Sequence, residues 1–352
     1  MTDHPCVDVI ILSGFLGSGK TTLLSAFLRG RQLQDTAVIV NEVGEIGIDA
    51  AVLNESVEED DVLMLDNGCV CCSLRSSLVD SILRLLRMPR PVGTPPLTRI
   101  VVETSGLSKP GPIVASLRDR DLVGANLRLM VVSTFDSTRL DDPGYYRQES
   151  LAQWAASHRI VLTKLDCLAD EVDRDQVAQR AIALSPLAQV VVEADKDDAV
   201  LQAFKRLDNG MLESMPKLHE PALDETDQAF AHADILVLRG QASAPVDWDD
   251  FANWVDDMAG LCGERLLRFK ALMCVEGVDQ PVLLQSVGTT FSAPVRLTRF
   301  DKSQTESLLI LIVRQMKLEE FEQHLPKSLI HLSQFAVPSR RTRRVFDVPI
   351  VH

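Results

Sequence analysis

Gly14-Phe15-Leu16-Gly17-Ser18-Gly19-Lys20-Thr21 satisfies G-x-x-x-x-G-K-[ST] at every specified position. The stretch follows an apolar run at 7–12 and opens a helical pattern at 21–28, the strand-to-helix setting this motif requires. Its glycines let the backbone curl so that successive N–H groups converge on phosphates, and the helix start adds partial positive charge. Gly17, Ser18 and Gly19 form the expected cradle, Lys20 is expected to reach the β- and γ-phosphates, and the Thr21 hydroxyl to ligate Mg2+. The competing reading is a glycine-rich turn that binds nothing, and the flanking strand and helix argue against it.

Outward from this loop, short Val/Ile/Leu-rich runs at 37–40, 62–65, 100–102, 127–132, 160–162 and 190–192 alternate with helical stretches. Apolar strands separated by helices predict a parallel sheet covered on both faces, the α/β doubly wound architecture. Around 213–227 the pattern lapses into scattered charge with two prolines. We therefore expect a nucleotide-binding domain at 1–215, a linker at 216–230, a smaller α+β domain at 231–330 and a basic tail at 331–352. In the second domain the patterning predicts a strand at 234–238 and a helix at 247–261. Strands near 266–275, 282–287 and 307–313 follow, and a helix at 318–325 closes the unit.

Composition bounds the remaining classes. At 352 residues the chain exceeds the roughly 250 that one core supports, and 46% hydrophobic with 24% charged residues is ordinary globular usage. The net charge of −14 opposes a broad nucleic-acid footprint, apart from Arg340, Arg341, Arg343 and Arg344, which read as a solvated terminus. No apolar run approaches the ~20 residues that span a bilayer, and the opening residues lack a basic leader, so a cytoplasmic protein without membrane partners is expected. The acidic run at 55–61 reads as a solvated loop.

Two polar strand tips extend the phosphate-binding reading. Residues 99–106 read RIVVETSG, with Glu103 ending an apolar strand where it can hold magnesium through water, and Gly106 free to bring its N–H toward the γ-phosphate. A surface-loop carboxylate is the bland alternative. Residues 160–166 read IVLTKLD, a strand ending in T-K-x-D and close to the N-K-x-D signature of guanine-binding proteins. The Asp166 carboxylate can accept from guanine N1–H and the 2-amino group, a donor pair adenine lacks, while the Lys164 stem can pack along the base. Thr163 replaces an asparagine amide that would tie this loop to the phosphate loop, so a looser tie and modest affinity are expected.

Seven cysteines are an odd number, and Cys69, Cys71 and Cys72 fall within four residues. Such clustering, between the strand at 62–65 and a helix predicted at 74–86, favours thiolate metal binding or redox chemistry. Three sulfurs and one outside carboxylate or histidine would make a tetrahedral Zn2+ site. Two thiolates with more outside ligands remain open, because adjacent Cys71 and Cys72 strain to reach one ion. Buried small hydrophobes are the competing reading.

With these residues assembled, the chain resembles the CobW-type P-loop GTPases, related to the nickel chaperones of urease and hydrogenase maturation. The resemblance rests on GFLGSGKTT at 14–22, NEVGEIGID at 41–49, GCVCC at 68–72, ETSG at 103–106 with Pro110 after it, TKLD at 163–166 and RLLRFK at 265–270. It covers about 7–325 and implies GTP binding through the loop including Thr22, hydrolysis, and Zn2+ or Co2+ carried at C-x-C-C for a client metalloprotein or cofactor-biosynthesis enzyme. It also implies that 41–49 is a switch segment whose Glu42 and Glu45 sense both γ-phosphate and metal, with Glu45 joining Lys20 and Glu103 in the catalytic set. A homo-oligomer is compatible with it. Two family features are missing. His219 and His232 stand alone where many members carry a histidine-rich stretch, and Gln285-Ser286-Val287 leads to Gly288 and Thr289 without the usual histidine. From other classes, a metal sensor or scaffold with little turnover and a small-molecule kinase compete, and T-K-x-D argues against the kinase.

Overall fold

The computed structural model describes residues 6–29, 35–40, 62–64, 73–90, 93–122, 124–168, 174–193, 195–206, 234–297 and 306–335. Glu42 and Glu45 of the expected switch segment, the cysteines at 69, 71 and 72, the acidic run, the linker and the arginine tail lie outside the described residues. The chain divides into two compact units. The first runs to Ala181 and resumes over 188–207, and the second takes 182–187 and 208–348.

In the first unit seven strands form one sheet in the order β3-β2-β4-β1-β5-β6-β7. These are β1 Val7–Gly14, β2 Thr36–Val40, β3 Val62–Met64, β4 Arg99–Glu103, β5 Leu127–Asp136, β6 Arg159–Thr163 and β7 Gln189–Val191. Every pairing is parallel, as continuous apolar strands buried on both faces demand. All eight residues of β1 and all five of β2 are buried. Described helices of this unit are α1 Lys20–Leu28, α2 Ser73–Arg87, α3 Pro110–Ser116, α4 Gln148–Ala156, α5 Arg174–Leu184 as far as Ala181, and α6 Lys196–Phe204.

Helix α2 shows why the pattern was readable. Leu78, Val79, Ile82 and Leu85 share one helical stripe and pack on Val9, Ala37, Ile39, Ile100 and Val102 from alternate positions of the strands. Elsewhere α1 packs on α6 through stacked Phe27 and Phe204 rings, 4.1 Å between centroids. Because β1 lies between β4 and β5, the chain leaves it toward β2 on one side and later continues to β5 on the other. The crevice at the carboxyl end of β1 is thus the switch point where doubly wound sheets bind ligands.

The second unit is an antiparallel sheet in the order β11-β10-β9-β13-β8-β14, with β12 pairing β10. Its strands are β8 Ile235–Gln241, β9 Leu266–Met273, β10 Val282–Val287, β11 Thr290–Phe291, β12 Val295–Arg296, β13 Leu308–Arg314 and β14 His331–Gln334. Helices α7 Trp248–Cys262 and α8 Leu318–His324 bury Phe251, Trp254, Met258 and Phe321 against Phe269, Ala271, Leu309 and Leu311 of one sheet face. Asp247 caps α7, its carboxylate accepting from the N–H groups of Asp249 and Asp250. In β9, Arg268 and Lys270 are buried with the apolar residues, and burial pushes the Arg268 guanidinium down to about 10.

One expectation needs correcting here. Residues 331–334, read as the start of the tail, form β14 and pair antiparallel with β8. Only Leu332 of the four is buried, so no alternation announced a strand, and the partner's free edge supplied the order. Among the described residues no helix is long and apolar enough to cross a membrane.

Candidate functional site

The phosphate loop is held by its own backbone. Gly14 ends β1 at φ 142°, and Gly17 and Gly19 adopt φ 70° and 92°, a left-handed region that disfavours side chains. A Cβ at Gly14 would collide with Thr134 Oγ1 and come within 2.8 Å of Ser18 Oγ. Ser18 is fully buried. Its N–H and hydroxyl both donate to the Phe15 carbonyl, at 3.1 and 2.7 Å, and its Oγ lies 2.6 Å from Thr134 Oγ1. Gly19 precedes α1 and its carbonyl accepts from Leu23 N at 2.9 Å, so the first N–H groups of α1 face the loop. Lys20 folds back over the loop, its Nζ donating to the Phe15 carbonyl at 3.2 Å.

Three neighbouring strand tips close on this loop. From β4, the buried Glu103 accepts from Thr21 Oγ1 at 2.7 Å. The chain beyond stays tied to β1 through Thr104 N and Oγ1, which donate to Leu12 O at 3.0 and 3.2 Å. It then turns, Ser108 N donating to Ser105 O, and presses Gly106 onto the loop so closely that a Cβ there would lie 2.7 Å from Leu16 N. From β6, the Thr163 hydroxyl donates to Ser18 O at 2.8 Å and lies 3.1 Å from Phe135 O. The loose tie expected from the loss of an asparagine amide is therefore absent: a hydroxyl reaching a backbone carbonyl does the tethering.

Lys164 takes φ 57° and donates to Asp136 Oδ2 at 2.6 Å, while Asp166 follows in a 3-10 turn with its side chain exposed. Asp136, at the tip of β5, is 1% exposed and also accepts from Thr138 N and Oγ1. Its N–H donates to the Tyr145 hydroxyl at 2.6 Å, and burial pushes that phenol far above its ordinary value, so it remains a neutral hydroxyl. Arg139 stacks over Tyr145 at 4.5 Å and over Phe15 of the phosphate loop at 5.7 Å, and with Gly144 N–H it holds the Asp142 carboxyl below its usual range.

The structure thus brings together Gly17, Ser18, Gly19, Lys20, Thr21, Glu103, Gly106, Thr163 and Lys164, with Asp166 at the rim and Thr22 exposed on the first turn of α1. Asp136, Thr134, Arg139 and Gln153 were missed. Asp136 carried a readable signal, a carboxylate at the end of the apolar run LRLMVVSTF, the same logic that singled out Glu103. Among the described residues no group of three or more His, Cys, Asp or Glu side chains is placed to hold a metal ion.

Comparison with known proteins agrees with this geometry. The model of the CobW/HypB/UreG nucleotide-binding domain matches residues 8–192, and that of the cobalamin synthesis protein cobW C-terminal domain matches 238–329. The zinc chaperone YjiA of Escherichia coli (strain K12) is 28% identical over 292 residues, 82% of this chain and 88% of that protein. The zinc chaperone CobW of Sinorhizobium sp is 26% identical over 318 residues, 80% of this chain and 85% of that protein. The crystal structure of Zn(II)-bound YjiA GTPase from E. coli shares the fold at TM-score 0.64 and 21% identity, covering 92% of this chain and all of that one. With a phosphate loop, an acidic strand tip and a T-K-x-D tip converging on one crevice and both domain models matched in order, the chain belongs to the CobW/HypB/UreG family of P-loop GTPases.

Proposed function

We propose that this protein is a GTP-hydrolysing metallochaperone that carries Zn2+ or Co2+ as cargo at Cys69, Cys71 and Cys72 and releases it to a client according to nucleotide state. The observation that carries the GTPase half is the convergence of the β4 and β6 tips on one loop, through Thr21–Glu103 and Thr163–Ser18. Lys20 and the loop N–H groups would bind the phosphates, and Asp166 would accept from guanine. Thr21 Oγ1 and the Glu103 carboxylate form a hard oxygen pair that fits Mg2+, with Glu103 acting through water. Bound there, the cation would neutralise charge on the phosphate oxygens.

The metal half rests on residue chemistry and kinship. Three cysteines in four residues offer soft thiolates, and relatives over most of the chain are named zinc chaperones. Glu42 and Glu45 would complete the ligand set and join it to the switch segment, with Glu45 also serving hydrolysis. The client would be a metalloprotein or a cofactor-biosynthesis enzyme, met in the cytoplasm, with this chain alone or as a homo-oligomer.

Single-turnover GTP hydrolysis with and without Zn2+ separates this reading from a metal sensor with little turnover. Zn2+ and Co2+ affinities should then be titrated with GDP and with a non-hydrolysable GTP analogue, in the parent and in Cys71→Ser. Coupling of about 1–3 kcal/mol shifts metal affinity roughly 5- to 150-fold between nucleotide states, and by reciprocity shifts GTP affinity equally. Identical affinities in both states would reject nucleotide gating, and an unaltered Cys71→Ser titration would remove the cysteines from the metal site.

A further inference from the structure

The turn at 105–108 is gripped from behind by one side chain that the reading above does not use. Gln153 lies on α4 and is fully buried, and its Nε2 donates to both the Gly106 and Ser108 carbonyls, each at 3.0 Å. Both partners are acceptors, so the carboxamide can present only its NH2 end, and both of its hydrogens are used. Among the described residues its Oε1 is buried without a hydrogen-bond partner. A residue needed only to fill space between α4 and the sheet would not require those two donated bonds.

The seat of α4 does not depend on this carboxamide. Trp154 is fully buried with its Nε1 donating to Thr134 O at 3.2 Å, and the Gln153 carbonyl accepts from Ser133 Oγ and Ser157 Oγ at 3.1 and 2.7 Å. Helix and sheet are joined by the bonds of Trp154 with Thr134 and of Ser133 with the Gln153 carbonyl, which leaves the amide group committed to the turn. On its far side the turn is pressed against the phosphate loop through Gly106 and Leu16, and its root is tied to β1 through Thr104. Gly106 has no side chain to hold it, so the carbonyls at 106 and 108 are handles by which the turn can be held.

We infer that Gln153 is a positioning residue that sets the turn at 105–108 against the phosphate loop and thereby determines how strongly the protein distinguishes a nucleoside triphosphate from a diphosphate. This rests on the nucleotide reading of the site and extends it to a residue outside every nucleotide motif. Because the clamp acts on the segment facing the terminal phosphate, its loss should spare diphosphate binding.

The test uses the full chain with Gln153→Met, which keeps volume and removes both donors, and Gln153→Glu, which presents an oxygen to the two carbonyls. Affinities for GDP and a non-hydrolysable GTP analogue, kcat and KM, and amide hydrogen exchange at 106–109 should be measured. In Gln153→Met, GDP affinity should stay within about twofold while kcat and the preference for the triphosphate each fall about tenfold, with KM for GTP rising as its affinity falls and exchange at 106–109 faster. Gln153→Glu should move the same readouts further. Equal loss for both nucleotides, or no change in kcat, would overturn the inference and leave Gln153 a packing residue. If neither variant folds, the unaltered chain decides. Exchange at 106–109 must differ between the two nucleotide states while α4 stays protected, and equal exchange overturns the clamp. Failure of the unaltered chain to bind either nucleotide would sink the nucleotide reading itself.

Discussion

The tips of β4 and β6 both reach the phosphate loop, yet they are joined to it in different ways. Glu103 meets Thr21 side chain to side chain, two oxygens that a hard cation can draw to itself without moving the backbone. Thr163 instead donates into the backbone at Ser18 O, and the next residue is locked by a left-handed φ and by the buried Asp136 carboxylate. The first joint is exchangeable and suits a phosphate- and metal-dependent step. The second is structural and suits a loop that must present one base edge in a fixed place. On the proposed function a single crevice would therefore carry a movable side and a rigid side, and substitutions should separate them.

The largest effect is expected on the movable side. Lys20→Ala removes the ammonium that folds over the loop, and hydrolysis should fall on the order of a thousandfold, as when a preorganised charge is taken from a reacting phosphate. Far-ultraviolet circular dichroism and the thermal midpoint should change little, since Lys20 faces the loop and not the apolar core. Unchanged turnover would remove the loop from the chemistry. Next, Asp166→Asn turns an acceptor into a partial donor where the proposed function places guanine, and GTP affinity should drop about 10- to 100-fold while competition by ATP hardly changes. Asp166 is exposed, so this loss should come without unfolding. Equal loss for both nucleotides would make the β6 tip a scaffold and not a reader. The smallest effect is expected from Thr163→Val, which deletes the tether and keeps the shape. GTP and GDP should weaken together by about fivefold, with kcat at saturation unchanged. A fall in kcat alone would mean that the β6 tip belongs to the moving side after all.

Most of the fold was legible because the first unit obeys two periodicities. The six runs beyond β1 are continuous apolar stretches, as a sheet buried on both faces requires, and all become strands of one parallel sheet with ends shifted by a few residues at most. In the second unit the helix expected at 247–261 starts one residue later because Asp247 is its cap. The short strands β11, β12 and β14 went unread. Two to four residues carry no period, and their order comes from pairing with β10 and β8.

At the site, sequence logic singled out the glycines of the loop, Lys20, Thr21, Glu103, Gly106, Thr163, Lys164 and Asp166 from phosphate and base chemistry, and the fold gathers them around one crevice. It misjudged what Thr163 would do, because the reach of a short hydroxyl depends on how near β6 brings it to Ser18, a distance set by sheet order.

By itself, then, the sequence determined the two domain types, the family and the motif residues, since glycine conformations, strand periodicity and ligand chemistry are local properties of residue type and spacing. Only the tertiary structure decided that Asp136 would pin Lys164, that Thr163 would tether the loop, and that Gln153 would clamp the turn after β4. Those contacts join residues 28, 145 and 47 positions apart. No local pattern encodes such pairings: they exist because parallel strands far apart in the chain end side by side at one edge of the sheet, where polar groups cut off from water must satisfy one another.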